Sequence, residues 1–444
     1  MSEPDPGNEL KKKKSKLTIA EISWLFYDWA NSVYATNIMA AIIPIYFISF
    51  LGGTDKAWAF GSSIATLIVA VLAPFLGAFA DYKGMKKKFL LFFIIIGTSF
   101  TLMMALTDNW KFMLVGYVVS YIGFTGANLF YDSFLTDVTT KERMDRISSY
   151  GFAMGYVGGS TIAFLISLAV IFVLGFTDPL GFKIAVVITT VWWALFSIPI
   201  LVKVKQIHFI DAPKKGVIGL TLRNVWKTFL SLFGNRGVFL FLLAYFFYID
   251  GVNTVIHMAT SYGTTIGLET IGLIGALLVT QVVAVPCTIL FGGMAKRYGA
   301  MRMILAAVCM YVLICGVGFY MGYSIQSAPA TGVDHDSAIK FSQLLFFLMA
   351  ILVGTVQGGI QALSRSYFGK LIPPERSNEY FGFFDIFGKF AAVMGTALYG
   401  FISLATGSAA NGIAGVSLLF IFALAILILG RKIIRKSEID GGIN

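Results

Sequence analysis

The chain has 444 residues, 57% of them hydrophobic and 13% charged, and its mean hydropathy is +0.80. Soluble domains carry about 25% charged residues and bury only part of their apolar surface, so a water-soluble fold is excluded and the bilayer is the expected solvent. The net charge of +11 does not imply nucleic acid, because the basic residues form short clusters between apolar runs rather than one face.

Residues 1–20 are polar and lysine-rich, and read as a disordered basic cytoplasmic tail without a cleavable signal. Twelve apolar stretches follow, each near the length of about 20 residues that a spanning helix needs. They are 22–50, 57–80, 89–106, 111–137, 148–176, 182–202, 237–260, 267–293, 302–322, 341–364, 378–403 and 411–431. The expected fold class is an all-α polytopic membrane protein. Residues 21–202 make an N-terminal six-helix bundle, 203–236 a cytoplasmic linker, 237–431 a C-terminal six-helix bundle and 432–444 a cytoplasmic tail.

Both termini are expected in the cytoplasm. That orientation puts 29 of the 34 basic residues inside, against four outside (Lys56, Lys111, Lys183 and Lys340) and Lys389 within a span. Cys287, Cys309 and Cys315 sit in apolar segments and read as helix-packing residues, with no disulfide or metal-ligand spacing.

The two halves repeat each other. Asp28-Trp29-Ala30-Asn31-Ser32-Val33 in the first span matches Asp250-Gly251-Val252-Asn253-Thr254-Val255 in the seventh. The loop from Gly77 matches the loop from Gly292. Glu142-Arg143 matches Glu375-Arg376, and the extra length between these matches is absorbed by a long outer loop at 323–340. Parallel repeats of this kind place a solute site between the halves.

The loop Gly77, Asp81, Gly84, Lys86, Lys87 resembles the signature of the major facilitator superfamily, G-x-x-x-D-x-x-G-x-[RK]-[RK]. Its second copy departs, with Lys296 where the aspartate is expected. The stretches WLFYDWANSVYAT, YDSFLTDVTTKERMDRISSYGFAMGYVGG and QGGIQALSRSYFGKLIPPERSNEYFGFFDIFGKF look like the unidentified-major-facilitator branch, whose fungal relatives are autophagy-related vacuolar amino-acid effluxers. The resemblance implies two pseudo-symmetric bundles in the major facilitator fold and an amino acid or similar small solute.

Ionisable residues inside spans mark function by default. Asp28 and Asn31 share a face of the first span beside Tyr34, and Asp250, Asn253 and His257 share one on the seventh. The two stripes are expected to face each other across a central cavity, with the aspartates as solute-amine or proton sites. The alternative is that each aspartate only packs helices. Asn128, Tyr131 and Asp132 cluster on the fourth span; Gln357, Gln361 and Arg365 line the tenth. The repeat spacing that carries Glu142 to Glu375 also carries Asp132 to Arg365, which suits a zwitterion, a gate or a structural ion pair. Asp385 and Lys389, one helical turn apart, fit a static pair or a proton relay. A conformational latch is expected from Gly77, Asp81, Gly84 and Lys87 with Asp137, Glu142, Arg143, Arg146, Glu375 and Arg376.

The leading reading is a secondary active transporter of a small polar solute, proton-coupled, monomeric and in the cell membrane. A transporter of lipid-like molecules and a non-transporting receptor or scaffold are the alternatives. The sequence carries no P-loop, nucleophile–base pair or metal-ligand set, which argues against a nucleotide-driven pump, an enzyme and any cofactor beyond a coupling proton. A cytoplasm-dependent reporter should be active when fused to the C-terminus and inactive when inserted after Gly332; the reverse pattern would invert the topology.

Overall fold

The computed structural model describes residues 16–212 and 216–439. Among these lie twelve helices long and apolar enough to cross a membrane. They are α1 (Ile19–Ser49), α2 (Lys56–Ala80), α3 (Met85–Ala105), α4 (Trp110–Val138), α5 (Met144–Leu174), α6 (Pro179–Lys203), α7 (Arg236–Thr265), α8 (Gly275–Tyr298), α9 (Ala300–Ala330), α10 (His335–Leu371), α11 (Pro374–Thr406) and α12 (Ala409–Ile439). Local chemistry fixes several ends. Thr18 and Glu21 form a capping box before α1, and Asn109, Asp178, Asn235 and Asp334 accept backbone N–H bonds at the starts of α4, α6, α7 and α10.

Several boundaries differ from expectation, three of them in stretches read as loop or tail. The stretch 323–340 is not a long loop, because helix continues to Thr331 and restarts at His335. Its polar residues are used within the bundle, as where Ser408 donates to Gln326 Oε1 at 3.1 Å. The helix α1 starts at Ile19, inside the stretch read as tail, and the tail residues 1–15 lie outside the described residues. The stretch read as a C-terminal tail begins as helix, since α12 runs to Ile439. Ser437 bonds Asn235 at 2.9 Å and Tyr367 donates to Glu438 at 3.1 Å, so these polar side chains dock at the base of α7 and α10.

The first six helices pack together, as do the last six, and the halves meet along α2–α11 and α5–α8–α10. Glycine makes the α2–α11 crossing close. A Cβ at Gly382 would lie 2.7 Å from the carbonyl oxygen of Ala73, and one at Gly77 would strike the backbone of Asn378. The matching crossing uses Gly292, where a Cβ would sit 2.6 Å from the Ser149 side chain. Two π-helical stretches, Tyr34–Ala41 in α1 and Gly158–Ala163 in α5, touch each other.

The linker joins the halves on the side where α6 ends and α7 begins, here termed the linker end. Its first part returns to the α2–α3 turn, where Ile210 N–H donates to Asp81 O at 2.9 Å and Lys83 N–H to Ile210 O at 3.1 Å. A helix then runs over Val217–Gly234.

Overpacking a tight crossing costs about 1–3 kcal/mol. Gly382→Val should therefore lower the melting temperature of the purified protein. Gly316→Ala, where a Cβ meets open space, should leave it unchanged or raise it.

Candidate solute site and linker-end latch

Arg365 of α10 crosses into the N-terminal half. Its Nη1 donates to Asp132 Oδ1 of α4 at 2.8 Å, its Nε to Ser148 Oγ of α5 at 2.9 Å and its Nη2 to Ser148 O at 3.0 Å. Asp28 Oδ2 of α1 lies 3.6 Å from Nη2, an ion pair without a direct hydrogen bond. The guanidinium carbon lies 4.8, 5.3 and 4.5 Å from the ring centroids of Trp24, Tyr131 and Phe152. Arginine suits this place because it is weakly hydrated, planar and rich in donors, so aromatic faces and carboxylates together replace its water. The Arg365 side chain is 4% exposed.

Neighbouring side chains hold the carboxylates in position. Tyr131 donates its hydroxyl to Asp28 Oδ2 at 2.5 Å, and Trp24 donates Nε1–H to the Tyr131 carbonyl at 2.8 Å while stacking on its ring. One turn further from the linker end, Asn31 donates to Asn128. Gln357 donates to Tyr156 of α5 at 3.1 Å, a second link between halves. Gln361 is half-buried between Gln357 and Arg365 on α10, and Asp385 pairs with Lys389 within α11. Tyr34 bonds Ser120 at 2.6 Å and stacks on Phe124, inside the N-terminal half.

Asp28 and Asp250 do not face each other. Asp250 is fully buried against α11, where Oδ1 accepts the Gly395 N–H at 2.8 Å and Oδ2 has no partner among the described residues. A parallel repeat carries each aspartate to the same place in its own bundle. Asp28 therefore lies against Gly151 of α5 and Asp250 against Gly395 of α11. The stripe also loses its register at Tyr34, where α1 becomes π-helical. Asn253 is half-buried, and His257 is exposed on α7.

The linker end carries two sets of contacts between halves. At α2–α11, Asp81 accepts from Asn378 N at 2.9 Å, Asn378 Nδ2 at 2.7 Å and Glu379 N at 3.1 Å, so it caps the start of an opposing helix. Lys86 donates to Asp137 at 2.7 Å and to Ser377 at 2.9 Å. Lys86 therefore holds the place expected for Lys87, which is only half-buried; the first lysine of the pair points inward along α3. Gly84 turns the chain with φ +74° just before α3. At α5–α10, Asp145 accepts from Lys370 at 2.6 Å and Ser366 at 2.7 Å.

Other residues expected in the latch lie elsewhere. Arg143 pairs with Glu21 at 2.8 Å inside the N-terminal half, and Arg146 folds back on Tyr150 one turn along α5. Arg376 pairs with Glu379 at 2.8 Å, while Glu142 and Glu375 are exposed. Asp145, Ser148, Lys370, Ser377 and Asn378 are contacts that the sequence reading missed. A signal existed, because the spacing that pairs Asp132 with Arg365 also pairs Asp145 with Asn378 and Asp137 with Lys370.

Residues 53–432 match the family described as vacuole effluxer Atg22-like. The chain belongs to this family. It is 40% identical over 426 residues to the uncharacterized MFS-type transporter YxiO of Bacillus subtilis, covering 93% of this chain and 95% of that one. It is 24% identical over 434 residues to autophagy-related protein 22 of Pichia angusta, covering 84% and 75%. Solved structures at low identity share the fold. A bacterial homologue of the iron transporter ferroportin, in its outward-facing state, has a TM-score of 0.64 at 13% identity, covering 94% of this chain and 98% of that one. The proton:xylose symporter XylE, bound to 6-bromo-6-deoxy-D-glucose, has a TM-score of 0.63 at 12% identity, covering 93% and 94%. This Atg22-like chain is thus a major facilitator transporter and a multi-pass membrane protein, not an enzyme.

In this Atg22-like protein the linker also enters the latch. The backbone N–H groups of Ile207 and His208 donate to Asp137 Oδ1 at 2.9 and 2.8 Å, and His208 Nδ1 lies 3.2 Å from the same oxygen. The bond to Asp137 raises the His208 pKa above 6.5, with Glu375 adding to the rise and burial and Lys86 opposing it. Burial pushes Asp81 up to about 7, against the pull of Lys86 and the donors at Asn378 and Glu379. For a histidine raised on folding, the stabilisation is complete below 6.5 and is lost as pH rises through the folded value. The Asp81 contribution falls between 3.8 and about 7 and is flat above. Melting temperatures should therefore fall more steeply as pH rises from 6.5 in the parent protein than in His208→Ala.

Proposed function

We propose that this protein is a secondary active transporter of an amino acid or a similar zwitterion. It works by alternating access, as a monomer in the cell membrane with both termini cytoplasmic. The observation that carries the reading is the Arg365–Asp132 pair, in which a buried guanidinium of one half meets a half-buried carboxylate of the other at 2.8 Å. Further polar groups lie beyond this pair, away from the linker end: Asn31 with Asn128, Gln361, Asp385 with Lys389, and Gln357 with Tyr156. A solute arriving past these groups meets Arg365 first with its carboxylate. Its ammonium, or a proton, then neutralises Asp132 or Asp28. The bond between halves is exchanged for bonds to the solute, and the linker end is released to open.

Coupling to protons follows from the buried acids. Buried Asp28 and half-buried Asp132 lose their cation when Arg365 turns to the solute, and a carboxylate left there without a counter-charge takes up a proton. Asp250 is the third candidate, because one of its carboxyl oxygens is buried without a partner among the described residues.

Reconstituted vesicles with an imposed pH gradient test the reading. The parent protein should accumulate amino acid and lose the accumulation on addition of a protonophore. Arg365→Gln should lower the rate at least tenfold, since about 1.4 kcal/mol is a factor of ten and a lost buried pair exceeds that. Full transport by Arg365→Gln would reject the site, and accumulation insensitive to the protonophore would reject the coupling.

A further inference from the structure

The linker helix Val217–Gly234 has more apolar surface than its protein contacts use. Its packed face is Thr221, Val225, Thr228 and Leu232, all buried. That face touches both halves: Thr221 bonds the Tyr82 hydroxyl at 2.8 Å, and Ser231 bonds Tyr380 of α11 at 3.2 Å. A second apolar face is left largely uncovered by the described residues. Ile218, Leu222, Trp226, Leu230 and Phe233 are 68%, 47%, 63%, 53% and 46% exposed. Their spacing of three and four residues puts them on one stripe. Arg223 and Lys227, both exposed, flank this stripe one position further round.

An uncovered stripe of this kind needs an occupant. We propose that it seats in the interfacial layer of the bilayer, with Arg223 and Lys227 on anionic phospholipid headgroups. Three observations select the bilayer. The helix ends at Gly234, two positions before α7 starts, so the tether holds it beside a spanning helix. Its packed face rests on Tyr82 just after α2 and on Tyr380 near the start of α11. The residue pattern, with tryptophan and phenylalanine in the apolar arc and cations beside it, matches an interfacial helix and complements a negative lipid surface. Because the packed face bridges α2 and α11, adsorption to lipid holds the helix across the seam that Asp81 closes. Anionic lipid thereby favours the closed linker end.

The test uses the full chain with its three cysteines replaced by serine, reconstituted in phosphatidylcholine with or without phosphatidylglycerol. Nitroxides are placed singly at Leu222→Cys, Leu230→Cys and Lys227→Cys, and collisions with oxygen and with a water-soluble nickel chelate are measured. Labels at 222 and 230 should be rich in oxygen and shielded from chelate, and phosphatidylglycerol should shift them deeper. The label at 227 should remain open to chelate. Arg223→Gln with Lys227→Gln should abolish the phosphatidylglycerol shift. Labels at 222 and 230 open to chelate in both lipids would overturn the proposal. Shielding from both reagents would also overturn it, because it would mean that a protein surface or a second copy covers the stripe. Failure of amino-acid transport would not affect this readout.

Discussion

A guanidinium buried between two halves of a membrane protein cannot be left without anions. Removing one partner of such a pair costs about 3–5 kcal/mol, because the other charge remains buried. Arg365 meets this constraint with Asp132, Asp28, two oxygens of Ser148 and three aromatic faces. Those partners come from α1, α4 and α5, while the arginine comes from α10. The same constraint therefore ties together four helices and both bundles. It also makes the joint conditional, since any anion that satisfies Arg365 as well as Asp132 does can replace it.

The remaining contacts between halves are arranged around that joint, and they are not symmetric. At α2–α11 a carboxylate caps the start of a helix, and Lys86 lies buried beside it. At α5–α10 the arrangement is an ion pair, Asp145 with Lys370. The second copy of the signature loop has an exposed lysine, Lys296, at the aspartate position, so no helix cap forms there. Gly292 still allows the close approach, and Asp145 supplies the charge from the opposing helix instead. The repeat preserves helix placement and spacing; the chemistry at each seam has diverged.

Much of the fold was legible in the sequence because the bilayer imposes a simple rule on length and polarity. All twelve spans were placed by it. The boundaries failed where polar residues hydrogen-bond to neighbouring segments, as at Gln326 and Ser437. The site was legible where one residue type suffices as a signal. A charged residue in a span, such as Asp132 or Arg365, announces itself, and the repeat spacing brought those two together. Asp250 shows the limit of that argument. Symmetry assigns equivalent environments within each bundle, and mutual contact does not follow. Ser148, Trp24 and Phe152 were not legible, because a hydroxyl or a ring in an apolar helix is ordinary until its neighbour is known. His208 was hidden in a linker that only the tertiary fold returns to Asp137.

The account rests on one claim, that the Arg365 cluster holds the linker end closed and its release opens that end. Electron–electron distance measurements between nitroxides at Lys88 and Lys296, exposed linker-end positions on opposite halves, read this directly. The account predicts one narrow distance distribution in the parent protein and a longer, broader one in Arg365→Ala. An unchanged distribution in Arg365→Ala would contradict it.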